Sequence, residues 1–182
     1  MSEISERYAR LSSAFAHKIA AVPDGRWSSP SPCPDWAARD VVRHVVDTQG
    51  MFLGFIDKKL DGVPSVDDDP AGAWDAAREQ VQANLDDRVT ATHEFDGLMG
   101  RSTFEDAVDR FLNFDLVVHG WDLARATGQD ETIDPGDIAD VQRKADSLGD
   151  AMRTPSAFGP AIEAPEGADD QTKLLAFLGR RA

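Results

Sequence analysis

Two octads of one pattern contain the side chains of this chain that are best suited to chemistry. The first is DVVRHVVD at residues 40–47, and the second is DLVVHGWD at residues 115–122; both read Asp-x-x-x-His-x-x-Asp. Residues four apart on a helix lie one turn apart on the same face, so each leading aspartate is expected beside its histidine. Imidazole and carboxylate groups at this spacing can pair with each other, act as an acid and a base, or bind a metal ion.

The second octad lies in an apolar setting, where burial of its polar groups is unfavourable unless they have partners. The surrounding apolar side chains are Phe111, Leu112, Phe114, Leu116, Val117, Val118, Trp121 and Leu123. A buried carboxylate or imidazole costs several kcal/mol unless it is paired or bound. Three arrangements would offset the cost of burial: a structural pair within each octad, a catalytic histidine oriented by an aspartate, or one divalent metal ion held by both helices.

A metal site is the explanation that best accounts for both octads together. A single Asp-x-x-x-His pair is most often surface or capping chemistry, and Asp40 fits that interpretation because an acid in the first turn of a helix needs no further role. Helical bundles, however, build metal sites from histidines and carboxylates that project inward from facing helices. Two histidines and one carboxylate suit Zn, Fe, Ni or Mn and leave positions open for water or substrate.

Three side chains near the octads have weaker claims to a role. Asp122 has two interpretations that stay open: it orients a metal-bound water or a ligand histidine, or it pairs with Arg125 at the surface. Cys33 is the only cysteine of the chain, and we expect it to be inert because nothing basic adjoins it to favour the thiolate. Trp36 and Trp121 are expected to be packing anchors.

Helical periodicity predicts the elements that position the octads. Apolar residues at spacings of three and four predict main helices over residues 3–22, 35–62, 71–88 and 102–127. Asp35 is the expected N-cap of the second helix, and Ser102 with Glu105 forms the expected capping box of the fourth. Gly128 ends that helix.

The remaining segments connect or follow these helices. Residues 89–101 predict a loop with a short extended piece, residues 134–152 predict a polar fifth helix, and a short apolar helix closes the chain. Nothing alternates strand with helix. The predicted fold class is therefore all-α, a bundle of four main helices with long connections and a short C-terminal helix.

The length, charge and cysteine content of the chain limit the functions that it can have. A length of 182 residues predicts a single domain over residues 1–182. A net charge of −14, from 33 acidic and 19 basic side chains, opposes nucleic-acid binding. The absence of a long apolar run and of a leader predicts a cytoplasmic protein without a membrane partner. A single cysteine excludes an internal disulfide and a cysteine-rich zinc site.

Two motifs give the chain a resemblance to a known family. SPCPDWAARDVVRHVV, at residues 31–46, is followed much later by DLVVHGWDLARATG, at residues 115–128, then by FGP and a short closing helix. This resembles the DinB-like family, specifically the metal-binding domain of mycothiol-dependent maleylpyruvate isomerase and its short single-domain relatives. The resemblance extends over nearly the whole chain. It implies a four-helix bundle that holds one divalent metal ion, usually zinc, on His44, Asp115 and His119.

The resemblance also implies an activity. Enzymes of this kind use the metal to bind a low-molecular-weight thiol, mycothiol in many bacteria, as its thiolate, and a metal-bound thiol does lose its proton near neutral pH. We therefore expect a thiol-dependent transferase or isomerase that acts through a metal-bound thiolate on a small electrophilic substrate. Mycothiol is then the co-substrate.

Two departures and two alternatives limit that expectation. The isomerase has a glutamate where this chain has Asp115, and it has a C-terminal domain that helps to bind substrate, whereas this chain ends at Ala182. The isomerase reaction itself is therefore not expected. One alternative is a non-catalytic metal-binding protein of the same fold that serves stress response or interaction, and another is a purely structural bundle. A homodimer stays open.

Overall fold

The computed structural model describes residues 2–97, 100–149, 153 and 158–182. The chain divides into two compact units, Met1–Asp130 and Glu131–Ala182. The single domain over residues 1–182 stays a prediction. Among the described residues, no helix combines the length and the apolar character that a bilayer crossing needs.

Eight α-helices, one π-helical turn and two short strands are found in the described residues. In chain order they are α1 (Glu3–Ala20), α2 (Ala38–Gly54), α3 (Pro70–Asp86), α4 (Arg88–Ala91), β1 (Glu94–Gly97), β2 (Gly100–Thr103), α5 (Phe104–Ala107), the π-helical turn (Val108–Leu112), α6 (Asn113–Thr127), α7 (Pro135–Leu148) and α8 (Asp170–Phe177). The strands form one two-stranded antiparallel sheet. The predicted all-α fold class is confirmed.

Four helices of the first unit form the bundle. Both α1 and α2 pack against α3 and against α6, so each helix has two neighbours in a closed ring. Trp74 of α3 is fully buried at its centre. It meets the ring of Phe15 edge-on at 5.1 Å between centroids and donates a hydrogen bond to the carbonyl of Ser12 at 3.1 Å. The packing of α2 against α6 brings the two octads face to face.

The predicted bounds of α2 are wrong at both ends. The helix begins at Ala38 rather than beside Asp35, which lies in the left-handed region with φ 65° directly after a proline. It ends at Gly54, eight residues before the predicted end, because the chain turns there and Asp57 also has a positive φ of 56°. A helix requires a negative φ at every residue, so neither position can belong to it.

The start of the fourth predicted helix is also corrected. Ser102 lies in β2, where it pairs with Phe95 of β1. Thr103 takes the capping role one residue later, because its hydroxyl accepts a hydrogen bond from the backbone N–H of Asp106 at 3.2 Å. The predicted end is confirmed, since α6 stops before Gly128 at φ 76°.

The second unit contains α7 and α8, which pack against each other. Gln171 of α8 links the start of this unit to that pair: its side chain accepts a hydrogen bond from the N–H of Ile133 at 2.8 Å and donates one to the carbonyl of Glu131 at 3.0 Å. The predicted fifth helix and the short closing helix are thus both present. The last predicted residues of the fifth helix, 150–152, lie outside the described residues.

Candidate metal centre

The packing of α2 against α6 brings together the three predicted metal ligands. His44 Nε2 of α2 lies 3.2 Å from Asp115 Oδ2 of α6. On the other side of the same carboxylate, His119 Nε2 lies 3.7 Å from Asp115 Oδ1. One ligand atom from each of the three side chains lies within 4.8 Å of the others. The carboxylate therefore faces both imidazoles, whose rings meet edge-on at 4.8 Å between centroids, although their role as ligands stays a prediction.

Exposure decreases steadily across this cluster. The side chain of His44 is 34% exposed and that of Asp115 is 17% exposed, whereas that of His119 is only 7% exposed. A small molecule can therefore approach the three donor atoms from the His44 side. His119, by contrast, is almost entirely covered by protein.

Acidic neighbours make the cluster favourable for a positive charge. Burial acts to lower the pKa of His44, but the hydrogen bond and the charge of Asp115 raise it, helped by the charges of Asp47 and Asp122. The net shift of the His44 pKa is upward from 6.5. Without a metal ion, this environment favours a proton on the imidazole of His44. A metal cation would bind the same imidazole and would therefore compete with that proton.

Asp122 contacts the far side of the His119 ring. Its carboxylate is completely buried, and Oδ2 lies 2.9 Å from His119 Nδ1. When Nδ1 carries the proton and donates it to this oxygen, the lone pair of Nε2 faces Asp115. The geometry thus favours the interpretation in which Asp122 accepts a hydrogen bond from a candidate ligand. Arg125 is exposed, with its guanidinium carbon 5.9 Å from the ring centroid of Trp121.

A tight loop before α2 places Trp36 against both histidines. The ring of Trp36 lies 4.9 Å from that of His44 and is stacked 6.0 Å from that of His119, with 29° between the planes. A bridge between Pro30 and Ala37 closes the loop. The expected packing anchor therefore packs on the candidate site.

The same loop places Cys33 beside Asp122. The thiol Sγ lies 3.4 Å from Asp122 Oδ2, and Cys33, Asp122 and His119 also have ligand atoms within 4.8 Å of one another. Sequence reasoning missed this contact because 89 residues separate the two side chains. The available signal was the cysteine between two prolines just before the first octad.

The two octads contribute unequally. Asp40 accepts a hydrogen bond from the N–H of Ala37 at 2.9 Å and pairs with Arg43, which confirms its capping interpretation. Asp47 is exposed. The first octad thus supplies one side chain to the cluster, His44, whereas the second supplies all three of its polar residues.

Comparison with known proteins identifies the family. The family described as Mycothiol maleylpyruvate isomerase N-terminal domain matches residues 8–124, which include both octads and the loop that bears Cys33. The chain belongs to this family. The family predicted from the motifs is thereby confirmed.

Two relatives match the chain almost from end to end. They are uncharacterized proteins of Mycobacterium tuberculosis, from strains CDC 1551 and H37Rv. Each is 28% identical over 192 aligned residues, which cover 94% of this chain and 94% of the relative. No solved structure matches the chain.

Proposed function

We propose that this protein binds one divalent metal ion, zinc in preference to nickel, iron or manganese, through His44, Asp115 and His119. With that ion it acts as a thiol-dependent transferase or isomerase whose thiol is of the mycothiol type. The observation that supports the proposal most strongly is the convergence of the three donor atoms within 4.8 Å from two facing helices. Membership of the family supports the choice of thiol.

The donor set fits such an ion. Two imidazole nitrogens and one carboxylate oxygen form the three-ligand set typical of catalytic zinc sites, in which a further position stays open for water or substrate. A divalent ion held by two neutral imidazoles and one carboxylate also keeps one uncompensated positive charge. An anionic sulfur that arrives from the exposed His44 side would neutralise it.

The metal ion would supply one piece of chemistry: it lowers the pKa of a coordinated thiol, so that the sulfur is nucleophilic near neutral pH. The residues of the chain do the rest. Asp122 holds the His119 ring in the tautomer that presents Nε2 to the cluster. Trp36 lies against the rings of His44 and His119 and excludes water from that side. The proposal places the protein in the cytoplasm, where small thiols stay reduced.

Metal content tests the first half of the proposal. We expect near-stoichiometric zinc in the purified parent, by elemental mass spectrometry, and its loss in His44→Ala, Asp115→Ala and His119→Ala. His17→Ala and Asp75→Ala are matched controls, because they remove a histidine of α1 and an aspartate of α3 outside the cluster. A parent that is free of metal and takes up no added zinc, nickel or manganese would contradict the proposal.

Thiol binding tests the second half. In the cobalt-substituted protein, mycothiol is expected to change the visible absorption of the metal, because a sulfur ligand alters the field around the ion. A site that holds cobalt with no response to mycothiol or to related thiols would instead identify a non-catalytic metal-binding protein. Turnover with a small electrophile then distinguishes transfer from isomerisation.

A further inference from the structure

The two ring nitrogens of His119 face two different sets of donor atoms. Nε2 faces Asp115, at 3.7 Å from Oδ1. Nδ1 faces Asp122, at 2.9 Å from Oδ2, and the same oxygen lies 3.4 Å from the thiol of Cys33. We propose that Cys33, His119 and Asp122 form a second metal site, selective for thiophilic divalent ions, which shares His119 with the first site and therefore excludes it.

The spacing of the second donor set is close to that of a coordination shell. With metal–ligand bonds of about 2.0–2.3 Å, the ligand atoms of a tetrahedral ion lie about 3.3–3.8 Å apart. The contact between Cys33 and Asp122 falls in this range. The contact between His119 and Asp122 is shorter because a hydrogen bond joins the two groups. If an ion replaces the proton of this hydrogen bond, the two groups must move apart by a few tenths of an ångström.

Charge balance distinguishes the second site from the first. A thiolate and a carboxylate together neutralise a divalent ion, so the complex needs no external anion. Neutrality matters because Asp122 is completely buried, and a net charge at that depth is costly. The second site therefore forms a neutral complex, whereas the first keeps a positive charge.

The chemistry of the donors selects the ion. Sulfur is the softest ligand in the chain, so the second site favours a soft ion such as cadmium, whereas the nitrogen and oxygen donors of the first site favour zinc. The loop also holds the thiol in place: the N–H of Cys33 donates to the hydroxyl of Ser31 at 3.2 Å, and its carbonyl accepts from the N–H of Trp36 at 3.2 Å. Pro32 and Pro34 fix the backbone on both sides.

The two sites exclude each other because each requires a different tautomer of His119. A neutral ring has one N–H and one lone pair. If Nδ1 binds an ion in the second site, the proton moves to Nε2, which then donates toward Asp115 and cannot act as a ligand. An ion at one site thus removes His119 from the other.

Cadmium titration of the full-length protein tests the inference. Cys33 is the only cysteine, so thiolate-to-cadmium charge-transfer absorption in the ultraviolet can arise only from this residue. We expect the absorption to saturate at one cadmium per chain, to vanish in Cys33→Ser, and to persist in His44→Ala, which removes a donor of the first site alone. Circular dichroism checks that both variants keep their helices.

Two outcomes would overturn the inference. Cadmium bound by the parent without thiolate absorption would show that Cys33 is no ligand, and loss of the absorption in His44→Ala would place the thiolate in the first site. If one chain bound cadmium and zinc at the same time, two ions in all, the two sites would not exclude each other. Zinc content of Cys33→Ser separates this result from the proposed function, since the first site alone predicts that zinc is kept in that variant.

Discussion

At the scale of single residues, His119 is the side chain on which both donor sets depend, and Asp122 determines how it is oriented. The carboxylate of Asp122 is completely buried and contacts Nδ1 of the ring at 2.9 Å. An oriented histidine presents its lone pair to the metal without a loss of freedom on binding. Partners of this kind raise metal affinity although they never contact the ion.

The variant Asp122→Asn tests this role. The amide keeps the size of the side chain and can still accept from Nδ1, but it lacks the negative charge that polarises the ring. We expect zinc to be retained with an affinity about 10–100-fold lower, measured by competition with a chromophoric chelator. Asp75→Asn, a change at a half-exposed side chain on α3, should leave the affinity unchanged. Equal affinity in Asp122→Asn and the parent would show that the charge has no role.

Residue types and local spacing were enough to predict part of the site. The four-residue spacing of Asp115 and His119 follows from helix geometry alone, and the repeat of the octad pointed to His44 on a facing helix. The contacts of Trp36 and Cys33 could not be predicted in the same way. They depend on the path of the loop before α2, and no periodicity specifies where a loop places its side chains.

At the scale of elements, two adjacent residues in the segment that leads into α6 are alternative N-caps, and the one that caps sets where the helix begins. Ser102 and Thr103 are adjacent hydroxyl residues, and local sequence favoured the first because Glu105 lies three positions later. Both residues lie in β2, which pairs with β1, and the helix begins only at Phe104, directly after Thr103. The hairpin thus extends the strand through Thr103, and the helix is capped one residue later than the local signal favoured.

Two matched alanine variants distinguish these caps. Thr103→Ala removes a hydroxyl that accepts from the N–H of Asp106, and we expect it to lower the free energy of unfolding by about 1 kcal/mol. Ser102→Ala should change it by much less, because the Ser102 hydroxyl donates to the carbonyl of Thr103 and accepts from no N–H of the helix. Denaturation in urea measures both. The reverse order would restore Ser102 as the cap.

The π-helical turn at Val108–Leu112 is another feature that the sequence did not disclose. It joins α5 to α6 one turn before Asp115 and changes which residues of this helical run share a face. Apolar periodicity indicated a continuous helix over this stretch, and a period of 3.6 residues cannot reveal one wider turn within it. The register of the second octad against α2 therefore had to come from the structure.

At the scale of the whole molecule, the proposed metal ion joins two helices that are far apart in sequence. His44 belongs to α2, whereas Asp115 and His119 belong to α6, so the complete donor set exists only in the folded protein. An ion that binds the folded state alone stabilises it by mass action, by about 2.7 kcal/mol when its free concentration is one hundred times the Kd.

Metal removal should therefore lower thermal stability. We expect the midpoint of unfolding to fall when the parent is treated with a chelator and to recover when zinc is returned, measured by calorimetry. His119→Ala should show no such response, because it lacks both candidate sites, whereas Asp75→Ala on α3 should behave as the parent does. If the midpoint of thermal unfolding of the parent changed neither with chelator nor with zinc, this result would argue against the metal centre.

The fold class was the most predictable property at this scale. Helical periodicity over long segments specified four main helices, and their apolar faces leave few arrangements other than a bundle. Helix ends were less predictable, as the early end of α2 shows. They depend on single backbone angles, such as the positive φ of Asp35 and of Asp57.

The gradient of exposure from His44 to His119 also has a kinetic consequence. His44 is the most exposed of the three candidate ligands, so we expect it to be the first to bind an entering ion and the first to release a leaving one. An attacking chelator is then expected to reach the ion beside His44. Small chelators should strip the protein faster than bulky ones of equal affinity, and the difference in their rates would measure the width of the entrance.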